Sequence, residues 1–237
     1  MRFGYDSALL SRCPELVVGV IWVTGVTNRT DAARVDEHLA AAETLTKERF
    51  PTPPDIAKFE SIAAWRQIYS RFGVKPNRYP CAAESLIRRV IEAGSLPRIS
   101  TLVDLCNAAS LRYAIPVAPF DLGNAQGDVI VRLATGSETY LAINAESPDA
   151  IPEGEVIYGD DSPSVLSRRW NWRQSDKGKI SLETTHLLIT TEAVHDSARD
   201  AVERVLVELC EWIPDILGGT VHSKMLDAEN PFSEQLI

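Results

Sequence analysis

The spacing of apolar residues changes once along this chain, and that change restricts the possible folds more than any other feature. Before Pro116 the apolar side chains recur every three or four residues. Residues 31–50 carry Val35, Leu39, Ala42 and Leu45 and stop at Pro51. Residues 55–72 align Ile62, Trp65, Ile68 and Phe72 and end at Gly73, and residues 82–93 align Leu86, Ile87, Val90 and Ile91 before Gly94. Such stripes are the mark of amphipathic helices. Residues 101–113 form a further helix, opened by Thr101-x-x-Asp104 as a capping box. After Pro116 the period becomes two, with Val129, Val131 and Leu133 alternating with Ile130, Arg132 and Ala134. Strands are expected to follow at 140–143, 155–158, 165–172 and 186–191. A last long helix starts at Asp196, carries Val202, Val205, Leu206, Leu209 and Ile213, and closes at Pro214 and Gly218-Gly219. Helices, then antiparallel strands, then a helix make an α+β protein. A buried strand at 16–24, rich in Val and Ile, precedes them all.

At 237 residues the chain is one large domain or two small ones, and it buries a sizeable core without staples. Its longest apolar run, 16–26, is shorter than the roughly 20 residues that span a bilayer. That run follows Glu15 and has no small-residue cleavage site after it. The expectation is a soluble, cytoplasmic protein with no membrane role, in which Asn28-Arg29-Thr30 is not a glycosylation site. Cys13, Cys81, Cys106 and Cys210 are scattered without a close pair, and His38, His186, His195 and His222 lack ligand spacing. No disulfide framework, metal site or cofactor is expected.

A net charge of −9 argues against general nucleic-acid affinity, and DNA is not an expected partner. The distribution is less simple. Residues 64–113 hold Arg66, Arg71, Lys75, Arg78, Arg88, Arg89, Arg98 and Arg112 against Glu84, Glu92 and Asp104. Residues 162–191 hold Arg168, Arg169, Arg173, Lys177 and Lys179 against Asp176 and Glu183. Segments 121–161 and 192–237 are strongly acidic. An acidic protein can present one basic face, and phosphate contact needs only that face; solvated helix surfaces are the plainer explanation.

No GxGxxG, GxxxxGK[ST] or GxSxG motif supports a dinucleotide, P-loop or hydrolase-elbow function. The densest polar cluster is Ser167 to Asp176. On an extended strand Arg169, Asn171 and Arg173 would share one face and Trp170 and Trp172 the other, which places two guanidiniums and an amide in a row suited to phosphate or carboxylate. A core strand with a basic edge is the alternative. A second cluster runs from Leu102 to Asn107 and on through Ile115 to Asp121. Asn107 is a mediocre helix former in mid-helix, equally consistent with a structural amide and a functional one. Cys106, without a neighbouring histidine, reads as a small buried hydrophobe rather than a nucleophile.

At these two clusters the sequence resembles the B3/B4 editing domain of the phenylalanyl-tRNA synthetase β chain, and in particular the free-standing proteins that carry this domain alone. The family run VVDVTNYV…GQPLHAFD is met by Leu102-Val103-Asp104-Leu105-Cys106-Asn107 and Ile115-Pro116-Val117-Ala118-Pro119-Phe120-Asp121. The family run GxMGGExSGVxxET is met by 171–176 followed by Lys177 to Thr184. The resemblance covers about 60–195 and implies a single domain over 1–237 with an antiparallel, β-barrel-like core and flanking helices. It implies a hydrolase of misacylated aminoacyl-tRNA, without metal or cofactor, that meets tRNA through the basic face at 64–113 and 162–191. Carried over, Asn107, Asp176 and Thr184 are the catalytic candidates, and Cys106, Asp121, Arg169, Asn171, Trp172 and Arg173 the substrate-binding ones. The chain departs from the family at Ala118, where the family has histidine, at Cys106, where it has threonine, and at Gln174-Ser175, where it has a glycine pair. A pocket altered in this way need not accept tyrosine. Two rival expectations stand beside this one: a binding module for tRNA or an amino acid that has lost the chemistry, and a small-molecule binder for a carboxylate or phosphate.

Overall fold

A computed structural model describes residues 1–29 and 32–235. In chain order the elements are β1 (Arg2–Tyr5), α1 (Ser7–Arg12), β2 (Val17–Thr24), α2 (Ala33–Arg49), α3 (Pro53–Lys58), α4 (Glu60–Arg71), α5 (Ala82–Ala93) and α6 (Thr101–Tyr113). Then come β3 (Val117–Asp121), β4 (Val129–Leu133), β5 (Thr139–Tyr140), β6 (Asp149–Ala150), β7 (Val156–Gly159), β8 (Ser167–Arg168), β9 (Arg173–Gln174) and β10 (His186–Ala193). The chain finishes with α7 (Ala198–Leu217), β11 (Thr220–Leu226) and β12 (Phe232–Glu234). The mixed α+β character is as expected. The helix start expected at Thr30-Asp31 lies outside the described residues.

Two sheets carry the core. One has the order β12-β1-β4-β7-β8-β9, antiparallel except for the parallel pair β1 and β4. The other, β11-β2-β10-β3, is antiparallel throughout. A separate ribbon pairs β5 with β6. The strand pairings of the described residues give two open sheets, and no closed barrel is found among them. The sheets meet face to face through aromatic side chains: Phe120 of β3 stacks on Tyr158 of β7 at 5.0 Å, while Phe3 of β1, in the same sheet as Tyr158, lies 5.9 Å from that ring. On its other face the second sheet is covered by α7, and β2 is buried on both sides, which explains its unbroken apolar run. Gly19 permits the close approach, since a Cβ there would lie 2.9 Å from both Val202 and Leu206 of α7.

Several local expectations need correction. The helix expected over 55–72 is broken at Phe59, whose extended ψ of 134° separates α3 from α4. Ser100, not Thr101, occupies the cap position of α6. Asn28, remote in sequence, supplies the cap by accepting from Thr101 Oγ1 and from the Leu102 amide at 3.0 and 3.1 Å. Asp104 turns back to the Ile99 amide. The last helix begins after Ser197 and runs through Pro214 to Leu217. Among the described residues no helix is long and apolar enough to cross a membrane.

Candidate functional site

The strand expected over 165–172 is a hairpin, and it shapes the site. Ser167 pairs with Gln174 and Arg168 with Arg173, so the chain reverses across 169–172. Arg169 and Trp170 make the reversal with φ of 47° and 63°. Left-handed backbone costs a non-glycine residue on the order of 1–3 kcal/mol and persists only where the surroundings dictate it. Here they do. The Trp170 indole is fully buried against Trp65 at 5.2 Å and Phe72 at 5.4 Å. Ser167 Oγ donates to the Trp170 and Arg173 carbonyls and pins the turn. The single face of Arg169, Asn171 and Arg173 therefore does not form: Asn171 and Arg173 border one cavity, whereas Arg169 turns away onto the Tyr79 ring.

Beneath the hairpin lies a carboxylate that sequence reasoning missed. Glu192 of β10 is 1% exposed. It accepts from Tyr5 Oη at 2.5 Å, Trp170 Nε1 at 2.7 Å and Asn171 Nδ2 at 2.9 Å. Asn171 Oδ1 in turn accepts from Tyr69 Oη at 2.7 Å. Burial pushes the Glu192 carboxyl up, against the pull of these donors. The network locks the Asn171 side chain at both ends. No local pattern marks Glu192 as different from an outward-facing strand residue, because its partner Tyr5 lies 187 positions away.

Above this floor is a cavity of about 250 Å³. Ser85 and Leu86 of α5, Val103 and Asn107 of α6, Val117 to Phe120 of β3, Tyr158 of β7 and the hairpin residues Asn171 to Gln174 enclose it. Val103 and Asn107 reach it together because residues four apart share a helix face. The walls are apolar and the polar groups are amides, hydroxyls and one guanidinium; among the described residues no carboxylate, imidazole or thiol lines it. Gln174 is occupied, donating to the Pro119 carbonyl at 2.7 Å. The side chains of Asn107 and Arg173 make no hydrogen bond to protein among the described residues, and both face the cavity. They are the groups free to meet a ligand.

The expected residues divide into two sets. Asn107, Asn171, Trp172 and Arg173 come together at the cavity, and Ala118, at the family histidine position, lines it as well. The others lie elsewhere. Cys106 is buried on the core side of α6, where burial raises its thiol far above the usual range. Asp176 sits in a 3₁₀ turn after β9 and pairs with Lys179 at 2.7 Å. Thr184 is buried and donates to Asp121, a bond that ties the end of β3 to the loop before β10. Arg169 lies outside the cavity, 4.0 Å over the Tyr79 ring and 4.8 Å from the Trp172 ring. Among the described residues no group of three or more His, Cys, Asp and Glu side chains could hold a metal ion.

The comparisons with known proteins agree with the sequence motifs. A phenylalanine–tRNA ligase β subunit from Chromobacterium violaceum is 30% identical over 150 residues, which take in 59% of this chain and 19% of that protein. The chain thus spans about a fifth of the length of that curated relative. The crystal structure of an N-terminal fragment of the phenylalanyl-tRNA synthetase β subunit from Pyrococcus horikoshii aligns over 92% of this chain and 49% of that one, with a TM-score of 0.46 and 12% identity. The B3/4 domain pattern matches residues 64–207, which include every residue lining the cavity. The chain belongs to the B3/4 domain family.

Proposed function

We propose that this protein hydrolyses the ester of misacylated aminoacyl-tRNA, acting in trans, with residues 1–237 forming one B3/4-type domain. The observation that carries the reading is the cavity with two unengaged donors, Asn107 and Arg173, held between apolar walls. An aminoacyl ester is already activated. Water adds to its carbonyl carbon, the bond to the ribose oxygen breaks, and the amino acid leaves as a carboxylate with the ribose hydroxyl restored. Positioning the ester and stabilising the oxyanion are sufficient help for such a step. Asn107 Nδ2 and the Arg173 guanidinium are the donors for that oxyanion, and Asn171, fixed by Tyr69 and Glu192, forms a rigid wall. The acyl side chain lies against Leu86, Val103, Val117 and Phe120, which suits an uncharged group.

The test is deacylation of tRNA charged separately with each amino acid. Loss confined to one or a few amino acids is expected, and Asn107→Ala should slow it by about 10²–10³, the usual effect of removing one oxyanion donor. A variant that stays folded with an unchanged rate would remove Asn107 from the site. One observation favours a second reading, a binding module without chemistry: Ala118 stands where the family has histidine, and no other described residue lining the cavity is a carboxylate or imidazole base. Binding of tRNA without turnover of any ester would establish that reading instead.

A further inference from the structure

Most of the basic excess in the sequence is consumed by ion pairs. Arg66 and Arg88 both clamp the buried Glu84, Arg71 meets Glu15, Arg98 meets Asp36 and Glu43, and Arg112 meets Glu208. Arg168 and Arg169 share Glu155, Lys177 holds Asp160, and Lys179 holds Asp176. Of the basic residues in 64–113 and 162–191, only Lys75, Arg78, Arg89 and Arg173 lack a carboxylate partner among the described residues. Arg89 is exposed on α5. Lys75 and Arg78 line one cleft, and Arg173 stands at the neighbouring cavity.

Lys75 and Arg78 line a cleft of about 350 Å³ between the loop after α4 and residues 152–155, with Arg169 also in its wall. Arg78 lies 5.1 Å from the Tyr79 ring and Arg169 4.0 Å from it. The Trp172 ring meets Tyr79 edge to face at 4.9 Å and carries Arg173 at 5.0 Å. A continuous row of cations and aromatic rings therefore runs from this cleft to the mouth of the cavity. Burial, against the pull of Glu155 and with the help of Arg168 and Arg78, weakens the hold of Arg169 on its proton. Glu155 is neutralised by Arg168 and Arg169, whereas Glu153 on the far wall has no cation partner among the described residues.

We infer that the cleft of Lys75, Arg78 and Arg169 binds phosphodiester groups of the RNA strand whose acylated end enters the neighbouring cavity. The identity of the ligand rests on the proposed function; the cleft itself rests on its charges. Guanidinium and ammonium groups neutralise phosphates, while Tyr79 and Trp172 offer faces and edges for unstacked bases. Glu153 confines the phosphates to the Lys75 and Arg78 side.

The experiment is equilibrium binding of uncharged tRNA to the full chain across a salt series, together with ester hydrolysis by the wild type. Lys75→Gln/Arg78→Gln should weaken binding and lower the slope of log K against log salt by about one for each cation removed. Glu153→Gln should tighten binding. Arg89→Gln should leave the slope as it is. An equal fall in slope for Arg89→Gln, an unchanged slope for the double variant, or no binding of tRNA by the wild type would each overturn the cleft. Slope changes as expected without hydrolysis of any ester would sustain the cleft and overturn the proposed catalysis. Hydrolysis with an unchanged slope would do the reverse.

Discussion

Glu192→Ala is the substitution whose cost follows most directly from the structure. It removes the acceptor for Tyr5 Oη, Trp170 Nε1 and Asn171 Nδ2, at 2.5, 2.7 and 2.9 Å. All three donors stay in a region that water does not reach. A buried donor left without a partner costs about 1–3 kcal/mol, so three cost about 3–9 kcal/mol before any cavity is counted. Domains are typically stable by about 5–15 kcal/mol, and the variant should lose most of its stability. Glu192→Gln is the internal comparison. Its Oε1 still accepts from Tyr5 and Trp170, and only the Oε2 position becomes a donor facing Asn171 Nδ2. That change should cost about 1–3 kcal/mol, the price of one mismatched pair. Urea unfolding followed by far-UV circular dichroism reads both without depending on the local indole. A Glu192→Ala variant within about 1 kcal/mol of the wild type would refute the account, because burial with three stranded donors could not then be the state of the site.

Burial raises the Glu192 carboxyl above the ordinary glutamate range, so the folded protein keeps this proton at pH values where the unfolded chain has lost it. The stability contribution is complete below the ordinary range and is lost as pH rises through the shifted value. The urea midpoint of the wild type relative to Glu192→Gln should therefore fall from acid to neutral pH, and a constant gap would exclude the shift. Gly19→Ala should destabilise the protein by about 1–3 kcal/mol through overpacking, since its Cβ would lie 2.7 Å from Thr191 and 2.9 Å from Val202 and Leu206; an unchanged thermal midpoint would show that α7 shifts freely. Among the described residues no carboxylate, imidazole or thiol lines the cavity, and burial pushes the Tyr158 phenol well above its usual range. Hydrolysis should accordingly speed up steadily with pH as hydroxide becomes available, whereas a bell-shaped profile would reveal a titrating base.

The helices α5 and α6 were legible to the residue: α5 has a sharp apolar stripe that stops at Gly94, and α6, buried on most sides, was marked by its Thr101-x-x-Asp104 start and the break before Pro116. β2 was legible because a strand covered on both faces is apolar throughout. The hairpin at 167–174 was not. Reversals are normally announced by glycine, asparagine or aspartate, whereas here Arg169 and Trp170 adopt left-handed backbone under the force of tertiary packing. Asn107 was found through its place in a motif and proved to face the cavity. Asp176 and Thr184 were found in the same way, yet they face Lys179 and Asp121 instead. A motif preserves order along the chain, but which way a side chain points after a turn depends on packing that spacing alone does not encode. Short strands such as β1 and β12 escaped for a related reason: three or four residues carry too little periodicity to stand out.

The placement of β1 has a consequence for synthesis. Its residues are made before those they pair with, in parallel with β4 and in antiparallel with β12, and Tyr5 reaches its carboxylate only when Glu192 exists. At about 5–20 residues per second, the 187 positions between them represent roughly 10–40 s of translation. Over the first part of that interval this strand has neither edge partner: the β4 edge can close once Val129–Val131 is made, and the β12 edge closes only after Glu192 itself. The network that shapes the cavity floor is thus among the last parts of the molecule to be assembled.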